Sequence, residues 1–196
     1  MSDNKMNPLP TGQFKDNIFA VNNEFVSWLM IKSNSGYVAI DMGVDNDKSS
    51  KEIASFGASF KDIVAVILTH DHRDHKEGLS AINKGTPVYG RSDEFATIKV
   101  QDEQSIDIDG LNFKVYATPG HKEDHISLVL NNKYLITGDC MSLDGNKVNL
   151  FVAQYNLNNE QQTKDIKRLS KIPNIEYLIT THFGAITSPD FSNFRE

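Results

Sequence analysis

A single cysteine, Cys140, stands in the 196 residues, so no intrachain disulfide can form, and a lone thiol fits a reducing compartment. Long apolar runs are also missing. None approaches the roughly 20 residues of a membrane-spanning helix, and mean hydropathy is −0.41. The opening stretch MSDNKMNPLPTGQF lacks the apolar segment of a secretory signal, which sets the expectation of a cytoplasmic protein with no membrane partner. Basic charge is in short supply: 20 Lys and Arg face 26 Asp and Glu, a net charge of −6. Nucleic acid, which requires a basic stripe, is therefore not the expected partner. Repeats and low-complexity runs are absent. What remains is 39% hydrophobic with 11 Phe, a composition that predicts one folded domain over 1–196, with 1–13 weakly structured.

Apolar runs broken by turn residues predict the elements. Residues 17–43 read as three strands separated at Asn22-Asn23 and at SNSG, followed by a short helix over 45–57 closing on Gly57. IVAVILT (63–69) is a β-branched run of the kind buried on both faces of a sheet. A helix is predicted over 75–85, a short strand at TPVYG and a short helix at SDEFATIK. Hairpins follow around Asp109-Gly110 and Asn131-Asn132, then a helix over 160–172 and a last buried strand at YLITTHFG (177–184). Two packed sheets with helices outside satisfy these faces.

Against that background the polar residues are concentrated. HDHRDH (70–75) holds three of the six histidines directly after an apolar strand. In an extended segment His70 and His72 point the same way, while Asp74 and His75 fall where the chain turns into a helix. One short cluster can thus serve two neighbouring metal ions. Further ligand types follow at other strand ends: His121 in TPGH, Asp139 in TGDC and His182 in TTHFG. Two ions of four or five ligands need about six or seven protein donors plus water, and His70, His72, Asp74, His75, His121, Asp139 and His182 supply seven.

These four ordered motifs, spanning roughly 17–184, resemble those of the metallo-β-lactamase-fold hydrolase superfamily. The resemblance implies an α/β protein, an αββα sandwich of two mixed β-sheets flanked by helices. It assigns His70, His72 and His121 to a first ion and Asp74, His75 and His182 to a second, with Asp139 bridging. Zinc is the first choice of metal for such ligands, with iron and manganese as alternatives. Within the superfamily the ligand set looks most like glyoxalase II-type thioesterases and lactonases. The expectation is a hydrolase of an ester, thioester or lactone of a small-molecule substrate, through a hydroxide bridging two ions and oriented by Asp74. A mononuclear-iron persulfide dioxygenase-like oxidoreductase and a β-lactamase-like amide hydrolase are the alternatives, and a binding module with a relict site is a third. The chain departs from the family in Lys76-Glu77 after His75 and Lys122-Glu123-Asp124 after His121, and only fourteen residues follow His182. Substrate contacts are therefore sought in the Asn22-Asn23 hairpin, with Phe25 and Trp28, and in Phe151 and Tyr155 of the segment 141–156, with ordinary core packing the competing reading. His125 is either a supporting partner or a hairpin residue, Cys140 a core thiol, and Asp71 and Arg73 loop residues exposed or paired with each other. The oligomeric state is left open.

Overall fold

A computed structural model describes residues 5–194. Its first half builds a seven-stranded sheet in chain order: Gly12–Lys15 (β1), Ile18–Asn23 (β2), Val26–Lys32 (β3), Tyr37–Ile40 (β4), Ile63–Ile67 (β5), Val88–Gly90 (β6) and Ile98–Lys99 (β7). Strands β1 to β4 meander antiparallel, and β4 to β7 run parallel. The parallel step from β4 to β5 needs a crossover, provided by helix Asn46–Ala54 (α1), whose first turn is capped by the Asp45 carboxylate accepting from the Lys48 N–H.

The second half builds a six-stranded sheet from Ser105–Ile108 (β8), Leu111–Ala117 (β9), Ile126–Leu130 (β10), Tyr134–Ile136 (β11), Tyr177–Ile179 (β14) and Ala185–Thr187 (β15), with β11 and β14 parallel. Between β11 and β14 lie a small hairpin, Met141–Asp144 (β12) with Lys147–Leu150 (β13), and helix Asn159–Leu169 (α3).

Three apolar layers hold this together. The inward faces of both sheets meet in one core, with Leu29, Ile40 and Ile67 from the first sheet and Phe113, Leu128 and Ile179 from the second. Met30, Ala39 and Val66 face the other way and pack with Ile53 of α1. Leu135 and Leu178 pack outward with Ile166 and Leu169 of α3. The order helix, sheet, sheet, helix is the αββα sandwich that the sequence predicts.

Several local expectations are overturned. The stretch 75–85 is not one helix. A single turn, Arg73–Lys76 (α2), gives way to a 3-10 segment, Glu77–Ala81. Gly78 is pressed against the Met42 carbonyl so closely that a Cβ would lie 2.3 Å from it, and the Met42 N–H donates to the His75 carbonyl. The predicted helix at SDEFATIK is instead a turn followed by β7. The strand β1 begins within the 1–13 stretch expected to be weakly structured, and the Asn7 N–H donates to the His182 carbonyl. Residues 1–4 of that stretch lie outside the described residues. Strand β15 and the β12–β13 hairpin are additions to the sequence reading. No helix among the described residues is long and apolar enough to cross a membrane.

Candidate metal centre

The seven residues singled out in the sequence converge at one end of the sandwich. His70 follows β5, His121 follows β9, Asp139 follows β11 and His182 follows β14, so four strand ends open onto the same rim. Cross-sheet hydrogen bonds close that rim: Ile126 N–H donates to the Thr69 carbonyl, and Ser27 N–H to the Thr181 carbonyl. Ligand-type atoms of His70, His72, His121 and Asp139 lie within 4.8 Å of one another, and so do those of Asp74, His75 and His182.

The local chain path explains this division. His72 caps the start of α2 with an extended backbone, φ −63° and ψ 152°. The His75 and Lys76 N–H groups bond back to the His72 carbonyl. That single turn carries Asp74 and His75 to the other side of the cluster. Asp139 lies between the two groups. Its Oδ2 is 3.4 Å from His121 Nε2 and 3.8 Å from His70 Nε2, while its Oδ1 is 3.4 Å from His182 Nε2 and 3.5 Å from His75 Nε2.

Outer partners fix the ring tautomers. Asp41 Oδ2 accepts from His75 Nδ1 at 2.8 Å, the Phe25 carbonyl from His182 Nδ1 at 2.7 Å and Asn156 Oδ1 from His121 Nδ1 at 3.1 Å. The Thr69 hydroxyl donates to Asp41, which leaves its oxygen to accept from His70 Nδ1 at 3.1 Å. With each Nδ1 carrying a hydrogen, the Nε2 lone pairs of neutral rings all point inward.

That arrangement calls for cations. His72 Nδ1 sits 3.0 Å from His70 Nε2 and 3.1 Å from His121 Nε2, with at most one ring hydrogen to separate three lone pairs. His75 Nε2 is buried without a hydrogen-bond partner and faces Asp139 and Asp74. An orphaned ring nitrogen aimed at carboxylates is costly unless positive charge lies between them. The site's titration follows the same division. Burial drives His70, His72 and His121 below the ordinary histidine range, keeping them neutral, as metal ligands must be. Burial pulls His182 and His75 down as well, but carboxylates outweigh it. Asp139 and Asp74 lift His182 to about 9, and Asp139 and Asp41 raise His75. Burial works against ionisation of Asp139 and Asp74 too, yet the neighbouring histidines hold both carboxyls below their usual value. The donor set thus fits divalent cations, in one group rich in imidazole and one that adds the carboxylate of Asp74.

Other residues of the sequence reading fall into place. His125 is fully buried. Its Nδ1 meets the Thr118 hydroxyl at 2.8 Å and its Nε2 accepts from the Asp139 N–H at 3.1 Å, so it holds the backbone of Asp139. Cys140 is buried in the outer core beside α3, and burial pushes its thiol up. Asp71 and Arg73 do not pair with each other. Asp71 binds Lys122 and Ser92, and Arg73 lies 3.5 Å from Glu77.

Asp41 is the residue that the sequence reading missed. It is fully buried at the end of β4, and its carboxylate takes the Thr69 N–H and hydroxyl as well as His75. Its signal was present, since VAID places a lone acid at the end of an apolar strand, as in the other motifs.

A cleft of about 990 Å³ opens over the cluster, and Phe151 and Tyr155 line it. Trp28 does not. It is fully buried beneath α1, its indole N–H donating to the Ser49 hydroxyl, so the substrate role considered for it gives way to core packing. Phe25, the other candidate of that hairpin, does line the cleft, stacked on the His182 ring with 5.9 Å between centroids.

No family model matches the chain. It is 29% identical over 123 residues to a hydroxyacylglutathione hydrolase of Glaesserella parasuis, covering 60% of this chain and half of that relative. It is 27% identical over 194 residues to one from Yersinia pestis, covering 96% of this chain and 70% of the relative. A solved metallo-β-lactamase from Pontibacter korlensis superposes with a TM-score of 0.73 at 19% identity, over 91% of this chain and 93% of that one. These likenesses support a metal-dependent hydrolase. The chain has the metallo-β-lactamase fold, and over most of its length it is similar to curated hydroxyacylglutathione hydrolases.

Proposed function

We propose that the protein hydrolyses an ester, thioester or lactone with two divalent cations, zinc first among them, held by His70, His72, His121 and Asp139 on one side and Asp74, His75 and His182 on the other. The observation that carries this reading is Asp139, which turns one carboxylate oxygen toward each group of histidines. Such ions would supply Lewis acidity and lower the pKa of a bound water to about 7.

The protein's own residues do the rest. Of the two carboxylates among the seven, Asp74 is the more exposed to the cleft, its side chain at 22% against 5% for Asp139, and its Oδ2 lies 3.3 Å from His182 Nε2. From there it orients the attacking water and takes its proton, a role in which an ionised carboxylate is required. Phe151 stands over the cluster, with ring centroids 5.0 Å from His121 and 5.6 Å from His182. Together with Phe25 it keeps bulk water from the acyl carbon and offers an apolar seat for the acyl chain.

The test is a panel of thioesters, lactones, a β-lactam and a persulfide, run with zinc-loaded and iron-loaded protein and with the Asp74→Asn variant. Thioester or lactone turnover that falls by about 10²-fold or more in the variant is expected. Turnover of the persulfide alone, with iron bound, would replace this reading with an oxidoreductase.

A further inference from the structure

The cleft over the metal centre is acidic at its mouth, and this bears on which acyl compounds it admits. The inference rests on the acyl-hydrolase reading for its chemistry but on the cleft's own side chains for its selectivity. Glu24, Asp45, Asp47 and Glu77 are exposed along the lining, with Asp74 and Asp139 deeper in. Arg73 is the one lysine or arginine among the lining residues, and Glu77 lies 3.5 Å from it. Lys122, which lines the adjoining cavity with His72 and His121, is held by Asp71 and by Asp124 at 3.3 Å.

In the loaded state, where cation binding would keep the histidines neutral, six carboxylates and one guanidinium contribute five net negative charges to the lining. Two divalent cations reduce that to one, so the cleft stays short of positive even when loaded. An anionic substrate meets repulsion at the mouth before it reaches the ions.

Apolar surface collects at the same mouth. Among the described residues the exposed large hydrophobics are Phe25, Ile98, Tyr155 and Leu157. Phe25 and Tyr155 line the cleft and Leu157 lines the adjoining cavity. Phe25 at 42% and Tyr155 at 53% exposure are large rings left to water beside a cluster of buried ligands. Such exposure is unfavourable unless something covers it.

From these two features we infer that the cleft selects by charge, taking acyl compounds with an apolar or aromatic body that are neutral or cationic and disfavouring anionic ones. Glutathione, with two carboxylates and one ammonium, falls on the disfavoured side. The curated relatives carry its name, and this chain spans half the length of the first of them.

Three phenylacetyl thioesters with one acyl group and different thiols test the inference: thiocholine for the cation, 2-mercaptoethanol for the neutral compound and 3-mercaptopropionate for the anion. Their kcat/KM is measured on the zinc-loaded protein, and binding of the matching non-hydrolysable thioethers is measured by calorimetry. The anion is expected to fall behind the cation on the order of tenfold at low salt, with the gap closing at about 0.5 M salt. The exposed double substitution Glu24→Lys, Asp47→Lys is expected to reverse the order. An anion that binds as well as the cation at low salt overturns the inference, as does an order unmoved by the double substitution. Thioethers that bind in the expected order while no thioester is hydrolysed leave the selectivity standing and overturn the acyl-hydrolase reading instead.

Discussion

Asp41 carries more of the site than its distance from the histidine motif suggests. It has no exposure, it sits at φ 59° in the left-handed region, and it joins two ligand-bearing segments by accepting from Thr69 and His75 together. A carboxylate behind a ligating imidazole fixes the ring and raises its basicity. Asp41→Asn keeps the shape but sets an amide N–H or a weaker acceptor against these donors. Metal affinity measured by competition with a chelator is expected to fall by about 10- to 100-fold, with the first group of histidines less affected than the second. An unchanged affinity would reduce Asp41 to a folding role. The same scale explains the misreading of Trp28. Strand β3 is buried on both faces, so no polar alternation tells which way its aromatic side chain points.

Among the elements, α3 braces the site although it contributes no ligand. Asn158 N–H donates to the Gly120 carbonyl and Leu157 N–H to the His121 carbonyl, while Gln162 donates to the carbonyls of Asp139 and Cys140. Gly120 packs on the first turn so tightly that a Cβ would lie 2.3 Å from the Gln162 backbone. Gly120→Ala must push α3 away from both His121 and Asp139. A loss of about 1–3 kcal/mol in denaturant unfolding is expected, together with weaker metal retention. A variant as stable as the parent would show that the contact relaxes freely. The sequence made this site legible because His70, His121, Asp139 and His182 each end an apolar strand, a signal that survives without an alignment. Asp41 carried the same signal but stood alone. The edge strands β1 and β15 span four and three residues, too few for a period to show. The 75–85 helix failed for a tertiary reason, the seat of Gly78 on Met42, which no local propensity encodes. The β12–β13 hairpin did carry a signal, the turn pair Gly145-Asn146 between Leu143 and Val148, with Gly145 at φ 57°.

Across the whole molecule, the metal centre links stability to pH, and the sign depends on loading. In chelated protein His182 has its folded value raised to about 9 from an ordinary 6.5, and His75 shifts the same way. A group raised on folding contributes stability that is fully present below its unfolded value and lost as pH rises through its folded one. Chelated protein is therefore expected to lose thermal stability between pH 6.5 and about 9. Asp74 and Asp139, held low, act with the opposite sign and only in acid, below their usual 3.8. Zinc-loaded protein is expected to show the reverse trend from neutral pH downward, because protons compete with the metal for ring nitrogens. The single tryptophan, Trp28, is fully buried and reports unfolding by its fluorescence. Parallel pH profiles for the two forms would contradict the assignment of His75 and His182 to a cation.

The central claim is that two cations share Asp139, and metal content per chain tests it most directly. Protein dialysed against zinc and then against metal-free buffer is measured by mass spectrometry of the metal, for the parent and for His182→Ala. The account predicts two zinc ions per chain in the parent and one in the variant, because His70, His72 and His121 remain intact. One ion or fewer in a folded parent that still hydrolyses thioesters would contradict it.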